Sequence, residues 1–204
     1  KLKIISRLGT GMDNIDAEAA EQRGVKIFKT VTTPAPAVAE LALGLMIDIY
    51  RSISQSDHTL KNNDWSKQMG SLIQGKTLGV IGMGTIGKAL VKLMSGFNLK
   101  ILAFDKDKDT IFAKSNNVVY CDLDTLLQRS DIISIHLNLT NDTKHLLSKE
   151  KIKLMKKDAI LLNTSRGGII DENALYESLM HKRLKGAGLD VFEKEPYRGP
   201  LTKL

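Results

Sequence analysis

The run Thr77-Leu78-Gly79-Val80-Ile81-Gly82-Met83-Gly84-Thr85-Ile86-Gly87 constrains this chain more than any other stretch. A segment of buried-strand type enters a G-x-G-x-x-G turn, and Lys88-Ala89-Leu90-Val91-Lys92-Leu93-Met94 continues in a helical pattern. Each glycine meets a different need. Gly82 permits a tight turn, Gly84 lets a pyrophosphate come up to the backbone, and Gly87 lets helix and strand pack closely. The free N–H groups opening that helix would face the phosphates. A second β-type run, Leu99 to Phe104, ends on Asp105. That is close to the spacing of about 20 residues at which an acid hydrogen-bonds the adenosine ribose. An ordinary βαβ turn with a surface aspartate is the plainer alternative, but strand, turn, helix and acid in this order favour a dinucleotide site.

Beyond that turn, strand and helix patterns alternate. Strands are predicted at 77–81, 99–104, 118–120, 131–136, 159–163 and 186–190, and helices near 85–96, 108–115, 123–129, 148–154 and 172–182, with Asp122, Ser148 and Asp171 as N-caps of the last three. The alternation predicts an α/β fold, a doubly wound parallel sheet with helices on both faces. Upstream, Leu2-Lys3-Ile4-Ile5 reads as a strand ending at Ser6-Arg7. A loop through Gly9 and Gly11, a helix over Asp16–Arg23 and a strand over Val25–Phe28 follow it. This has the look of the tail of another α/β domain. Thr32-Thr33-Pro34-Ala35-Pro36 is a linker, and Ala37 to about Leu60 reads as one long apolar helix, buried between domains or subunits. Trp65, the single tryptophan, is expected to fill a packing gap.

Composition narrows the function classes. The chain has 204 residues, enough for one large domain or parts of two. No apolar run approaches the roughly 20 residues of a membrane span, and the first residues lack the length and cleavage site of a signal peptide. Cys121 is the one cysteine, so no internal disulfide is possible and a reducing, cytoplasmic setting is expected. It reads as a packed small residue rather than a nucleophile. The net charge of +7 is spread among 30 basic and 23 acidic residues without a like-charge block. That pattern argues for a solvated surface and against nucleic acid, and a mildly positive field suits anionic substrates. No cluster has metal-ligand spacing.

In such a fold ligands sit beyond the carboxyl ends of the strands. After the fourth strand of the sheet comes His136-Leu137-Asn138-Leu139-Thr140. After the fifth comes Asn163-Thr164-Ser165-Arg166-Gly167-Gly168, and after the sixth Asp190, Glu193 and Glu195. Arg166 carries a planar, permanently charged fork suited to a substrate carboxylate; a structural pairing with an acid of its own chain is the alternative. Asp190 or Glu195 could orient a histidine, or both could be surface acids beside Pro196. His58, His136, His145 and His181 are candidates without an evident base partner.

Gly9-Thr10-Gly11-Met12-Asp13-Asn14-Ile15-Asp16, Gly82 to Gly87, Asn163 to Asp171 and Leu189-Asp190-Val191-Phe192-Glu193-Lys194-Glu195-Pro196 together resemble the D-isomer-specific 2-hydroxyacid dehydrogenases, in one order along essentially the whole chain. The resemblance implies a flavodoxin-like substrate domain, of which residues 1–33 are the C-terminal part, and a dinucleotide (Rossmann) domain over 34–204. The long helix at about 37–60 would lie between domains and contribute to a homodimer or higher homo-oligomer. It implies NAD as cofactor. The catalytic residues would be Arg166 and Glu195, the latter paired with a histidine that lies beyond Leu204 in the family, so that residues 1–204 alone would bind cofactor without turnover. Cofactor contacts would come from Thr10, Gly82, Gly84, Thr85, Ile86, Gly87, Asp105, Leu137, Thr164, Ser165 and Asp190, and substrate contacts from Arg7, Leu8, Gly9, Thr10 and Gly11. The family's His-x-Pro-Leu loop reads His136-Leu137-Asn138-Leu139 here. Ser6-Arg7-Leu8-Gly9-Thr10 is most similar to the phosphoglycerate dehydrogenase branch, where an arginine at this place helps bind the substrate phosphate. That implies 3-phosphoglycerate oxidation, the first step of serine biosynthesis, with Lys67 of a neighbouring subunit as a further phosphate contact. A glyoxylate or hydroxypyruvate reductase, or a NAD-sensing corepressor, would share the same motifs.

Overall fold

The computed structural model describes residues 1–204 except Thr10, Asp13 and Val31, and its strands fall into two parallel sheets. The first joins β1 (Ile4–Arg7) to β2 (Lys26–Lys29) through α1 (Ala17–Gln22), whose N-cap Asp16 accepts from the Ala19 N–H at 2.8 Å. The second contains β3 (Thr77–Ile81), β4 (Lys100–Phe104), β5 (Val118–Tyr120), β6 (Ile132–Ile135), β7 (Ile160–Asn163) and β8 (Gly186–Leu189), in the order β5-β4-β3-β6-β7-β8. Around it lie α2 (Ala35–Arg51), α3 (Ile53–Lys61), α4 (Thr85–Leu93), α5 (Thr110–Ser115), α6 (Leu123–Arg129), α7 (Lys149–Leu154) and α8 (Glu172–Met180). The strand order reverses between β3 and β6, which defines the doubly wound α/β fold and opens a ligand crevice at that point.

Side chains alternate across the central strands, and both faces are apolar. Leu78, Val80, Ile132, Ile160 and Leu162 join the cluster beneath α2 and α4. Ile81, Ile133, Ile135 and Leu161 join the cluster beneath α6, α7 and α8. A parallel sheet covered on both sides requires this. At the end of the sheet remote from the crevice, Asp131 ties strands together. Its carboxylate accepts from the Thr77 N–H at 2.8 Å and from Lys156 Nζ at 3.0 Å. Burial pushes the Asp131 carboxyl up, but those two donors outweigh it and hold it below the usual carboxylate range.

Asp122, Ser148 and Asp171 cap α6, α7 and α8 as the sequence predicts. The helix over 85–96 ends as α4 at Leu93, and a tighter 3-10 turn covers Met94–Phe97. β1 ends at Arg7, as the sequence predicts.

Two expectations fail. The single helix over 37–60 is two helices. Ser52 adopts a left-handed conformation (φ 52, ψ 42) that ends α2, and α3 starts after it. Asp48 secures the break: Oδ1 accepts from the Ser54 N–H at 2.7 Å and Oδ2 from Ser54 Oγ at 2.8 Å. The α2 stripe of Ala35, Ala39, Ala42, Met46 and Tyr50 packs on α4, β7 and β8, whereas α3 buries no residue. Trp65 fills no gap; it is 82% exposed, and Met69 and Leu72 nearby are also exposed. Ile73 takes the buried position that the segment offers, beside the main-chain bond from Ser71 to the Tyr50 carbonyl.

Candidate active site

The glycine turn sits at the switch point. Gly82 has φ +97, and a Cβ there would lie 2.6 Å from the His136 carbonyl oxygen, where β6 ends against it. A Cβ on Gly87 would strike the Gly82 carbonyl oxygen and Val80, so α4 can approach β3 this closely only without one. At Gly84, by contrast, a Cβ would meet nothing within 4 Å. Gly84 is the N-cap of α4 and no side chain caps the helix. No side chain therefore takes the first amides of α4, the groups that bind a pyrophosphate in such a turn.

Asp105 lies one strand over, just past β4. Its Oδ2 accepts from the Met83 N–H at 2.6 Å and its Oδ1 from the Asp107 N–H at 3.0 Å, so it braces the glycine turn. A carboxylate keeps further lone pairs for ribose hydroxyls. Past β6, the His136 N–H donates to the Ile81 carbonyl at 2.7 Å, and Leu137 packs beside Gly82. His136 Nε2 lies 2.9 Å from Ser134 Oγ, while Nδ1 is buried without a partner among the described residues. Burial lowers this imidazole to about 4, so it is neutral at physiological pH.

Past β7, Asn163 organises the arginine loop. Its Oδ1 accepts from the Ser165 N–H and from Ser165 Oγ, and its Nδ2 donates to the Arg166 carbonyl at 2.9 Å. Arg166 Nη1 donates to the Ser165 carbonyl at 2.7 Å, among its interactions. Thr164 Oγ1 is buried and has no partner among the described residues. Past β8, the Asp190 N–H donates to the Asn163 carbonyl at 3.0 Å. Glu195 is exposed, and its Oε1 accepts from the Phe192 N–H at 3.0 Å, folding the 192–195 turn on itself. Among the described residues no histidine hydrogen-bonds Glu195.

The structure thus gathers Gly82, Gly84, Thr85, Ile86, Gly87, Asp105, Leu137, Thr164, Ser165, Arg166 and Asp190 at the carboxyl ends of one sheet. Arg7 ends β1 on the other sheet, and Leu8, Gly9 and Gly11 belong to the loop after it. There Arg7 Nε donates to the Gly11 carbonyl at 3.2 Å, and Thr30 Oγ1 accepts from the Gly9 N–H at 2.8 Å. Leu8 is exposed. Thr10 falls outside the described residues. His58 and His181 are exposed, Lys67 is exposed beyond α3, and Cys121 packs against the core with its thiol pushed up by burial. Among the described residues no group of His, Cys, Asp and Glu could hold a metal ion.

One contact had no counterpart in the sequence. His145 Nε2 stands 3.2 Å from each carboxylate oxygen of Glu193. The two residues lie far apart in the chain and meet only because the loops after β6 and β8 converge.

Residues 43–204 match the family described as D-isomer specific 2-hydroxyacid dehydrogenase, NAD binding domain. The hydroxypyruvate reductase of Thermotoga maritima is 46% identical over 96% of this chain and 63% of that protein. The D-3-phosphoglycerate dehydrogenase of Methanocaldococcus jannaschii is 43% identical over 100% of this chain and 40% of that protein. The structure of the Aquifex aeolicus D-lactate dehydrogenase complexed with NAD and lactic acid superposes with a TM-score of 0.85 at 32% identity, covering 95% of this chain and 59% of that one. The chain therefore spans less than two thirds of each of these proteins. No helix among the described residues is long and apolar enough to cross a membrane. With the uncapped helix start, the open Gly84 and the braced Asp105 in place to hold it, the cofactor is NAD, and the chain belongs to the D-isomer-specific 2-hydroxyacid dehydrogenase family.

Proposed function

We propose that the protein containing this chain is a NAD-dependent D-2-hydroxyacid dehydrogenase acting on a short 2-oxo or 2-hydroxy acid. Residues 34–204 form its dinucleotide domain and residues 1–33 the end of its substrate domain. Arg166 carries the reading: a half-buried guanidinium held by the Asn163 loop at the carboxyl end of β7, on the sheet that bears the glycine turn. When bound, the nicotinamide supplies or accepts the hydride exchanged with the substrate C2. The Arg166 fork binds the substrate carboxylate and polarises the C2 oxygen. Glu195 orients the histidine that moves the C2-oxygen proton. By the family resemblance that histidine belongs to a segment after residue 204; among the described residues no histidine hydrogen-bonds Glu195. The Leu8–Gly11 backbone receives the substrate from the other sheet. The partner is a second copy of the chain, for which exposed Ile53, Leu60, Trp65, Met69 and Leu72 supply an apolar surface.

Arg7 favours one substrate within the class. A half-buried arginine at the carboxyl end of β1 adds a second anion site, which 3-phosphoglycerate needs and glyoxylate does not. The test is steady-state kinetics of the full-length protein with NADH and glyoxylate, hydroxypyruvate or 3-phosphohydroxypyruvate. Turnover of at least one 2-oxo acid is expected, with the highest kcat/KM for the phosphorylated one and a selective loss of that preference in Arg7→Ala. NADH binding without any turnover would instead identify a dinucleotide sensor. Equal kcat/KM values in wild type and Arg7→Ala would remove the phosphate site and leave the dehydrogenase.

A further inference from the structure

The loop that carries Arg166 and the loop that carries Glu195 touch main chain to main chain. A Cβ on Gly167 would run into the Phe192 carbonyl and the Glu193 nitrogen. The loop after β6 stands against both. Its His145 takes a left-handed backbone (φ 48) and donates its N–H to the Gly168 carbonyl at 2.8 Å, two residues past Arg166. Its imidazole Nε2 faces Glu193, two residues before Glu195, at 3.2 Å to both oxygens. The Glu193 N–H in turn donates to Glu172 Oε1 at 2.7 Å, which fixes the same turn to the start of α8. Next to His145, the Leu147 N–H donates to the Ile169 carbonyl at 3.1 Å and the Asp171 N–H to the Leu147 carbonyl at 3.0 Å, so the β6 loop is itself anchored to the arginine loop.

We propose that His145 is a positioning residue for the dehydrogenase reaction. One residue grips the arginine loop by its main chain and the glutamate loop by its side chain, and so sets the distance between Arg166 and Glu195. The inference rests on the roles proposed for those two residues. Small displacements of catalytic groups are costly, on the order of 10²-fold per ångström. A half-exposed pair contributes little to overall stability, so its loss acts on placement rather than folding.

The test uses the full-length protein and His145→Ala, Glu193→Ala, the double variant and His145→Gln, whose amide nitrogen has similar reach. Amide hydrogen exchange at Phe192 and Glu193 reads the anchor without reference to turnover. Kinetics with the best 2-oxo acid read the positioning. In His145→Ala, exchange at both amides should accelerate and kcat should fall about tenfold. KM, NADH affinity and melting temperature should change little. His145→Gln should recover most of the rate, and the double variant should be no worse than the poorer single one. Unchanged exchange would overturn the anchor. Faster exchange with unchanged kcat, additive losses, or a rate that falls only with melting temperature would overturn the positioning role. A wild type inactive on every 2-oxo acid would overturn the proposed function and the positioning role with it, while exchange would still decide the anchor.

Discussion

At His136 the imidazole is buried at the end of β6 beside Ser134 Oγ, and burial lowers it to about 4 from an ordinary value of 6.5. The folded protein then binds its proton later than the unfolded chain does as pH falls. The stabilisation is complete above about pH 6.5 and is lost between there and about pH 4. By linkage, roughly 2 kcal/mol of it disappears between pH 7 and 5. Urea unfolding of wild type and His136→Gln across that range should show their difference shrinking by about this amount, and a constant difference would refute the burial argument. Sequence placed His136 at a strand end, which is where it lies. Its protonation state was not legible there, because desolvation depends on what the fold stacks above the ring. Arg166 and Asp105 were more legible, since a charged residue directly after an apolar parallel strand has few places to go but the crevice.

α3 is weakly secured by this chain. It buries no residue and depends on Asp48, which reaches past Ser52 to the Ser54 amide and hydroxyl. Losing a cap of this kind costs about 1 kcal/mol, equivalent to a roughly fivefold change in an opening equilibrium. Asp48→Ala should therefore speed amide exchange across α3 about fivefold, with a far smaller effect on α2, whose stripe is packed. Equal exchange in both proteins would show that Asp48 does not hold the break. The caps at Asp122, Ser148 and Asp171 were readable from sequence because the side chain bonds amides two or three residues on, just where an apolar pattern begins. The break at Ser52 was not. The apolar spacing runs straight through it, and Asp48 reads as one more polar residue on an exposed face.

Across the whole molecule, the doubly wound sheet was legible almost strand by strand, because an alternation of short apolar runs and amphipathic segments admits few other folds. How the loops after separate strands touch was not, since neither His145 with Glu193 nor Gly167 with Phe192 leaves a periodic trace. Trp65 belongs to the same lesson: an aromatic residue in a chain without local regularity is buried only if something covers it. In the proposed homodimer a second copy does. Trp65→Glu should weaken self-association of the full-length protein about 30-fold, the effect of losing an aromatic anchor worth about 2 kcal/mol. Sedimentation velocity would detect this, and an unaltered dimer would place the contact elsewhere. The joint at Gly167 has a different kind of consequence. The atoms nearest a Cβ at 167 are main-chain atoms of Phe192 and Glu193. Any side chain at 167 forces the loops apart, whatever the side chain at 192. The closeness of the two loops thus rests on the missing side chain of one residue, so a single codon change at 167 is enough to part them.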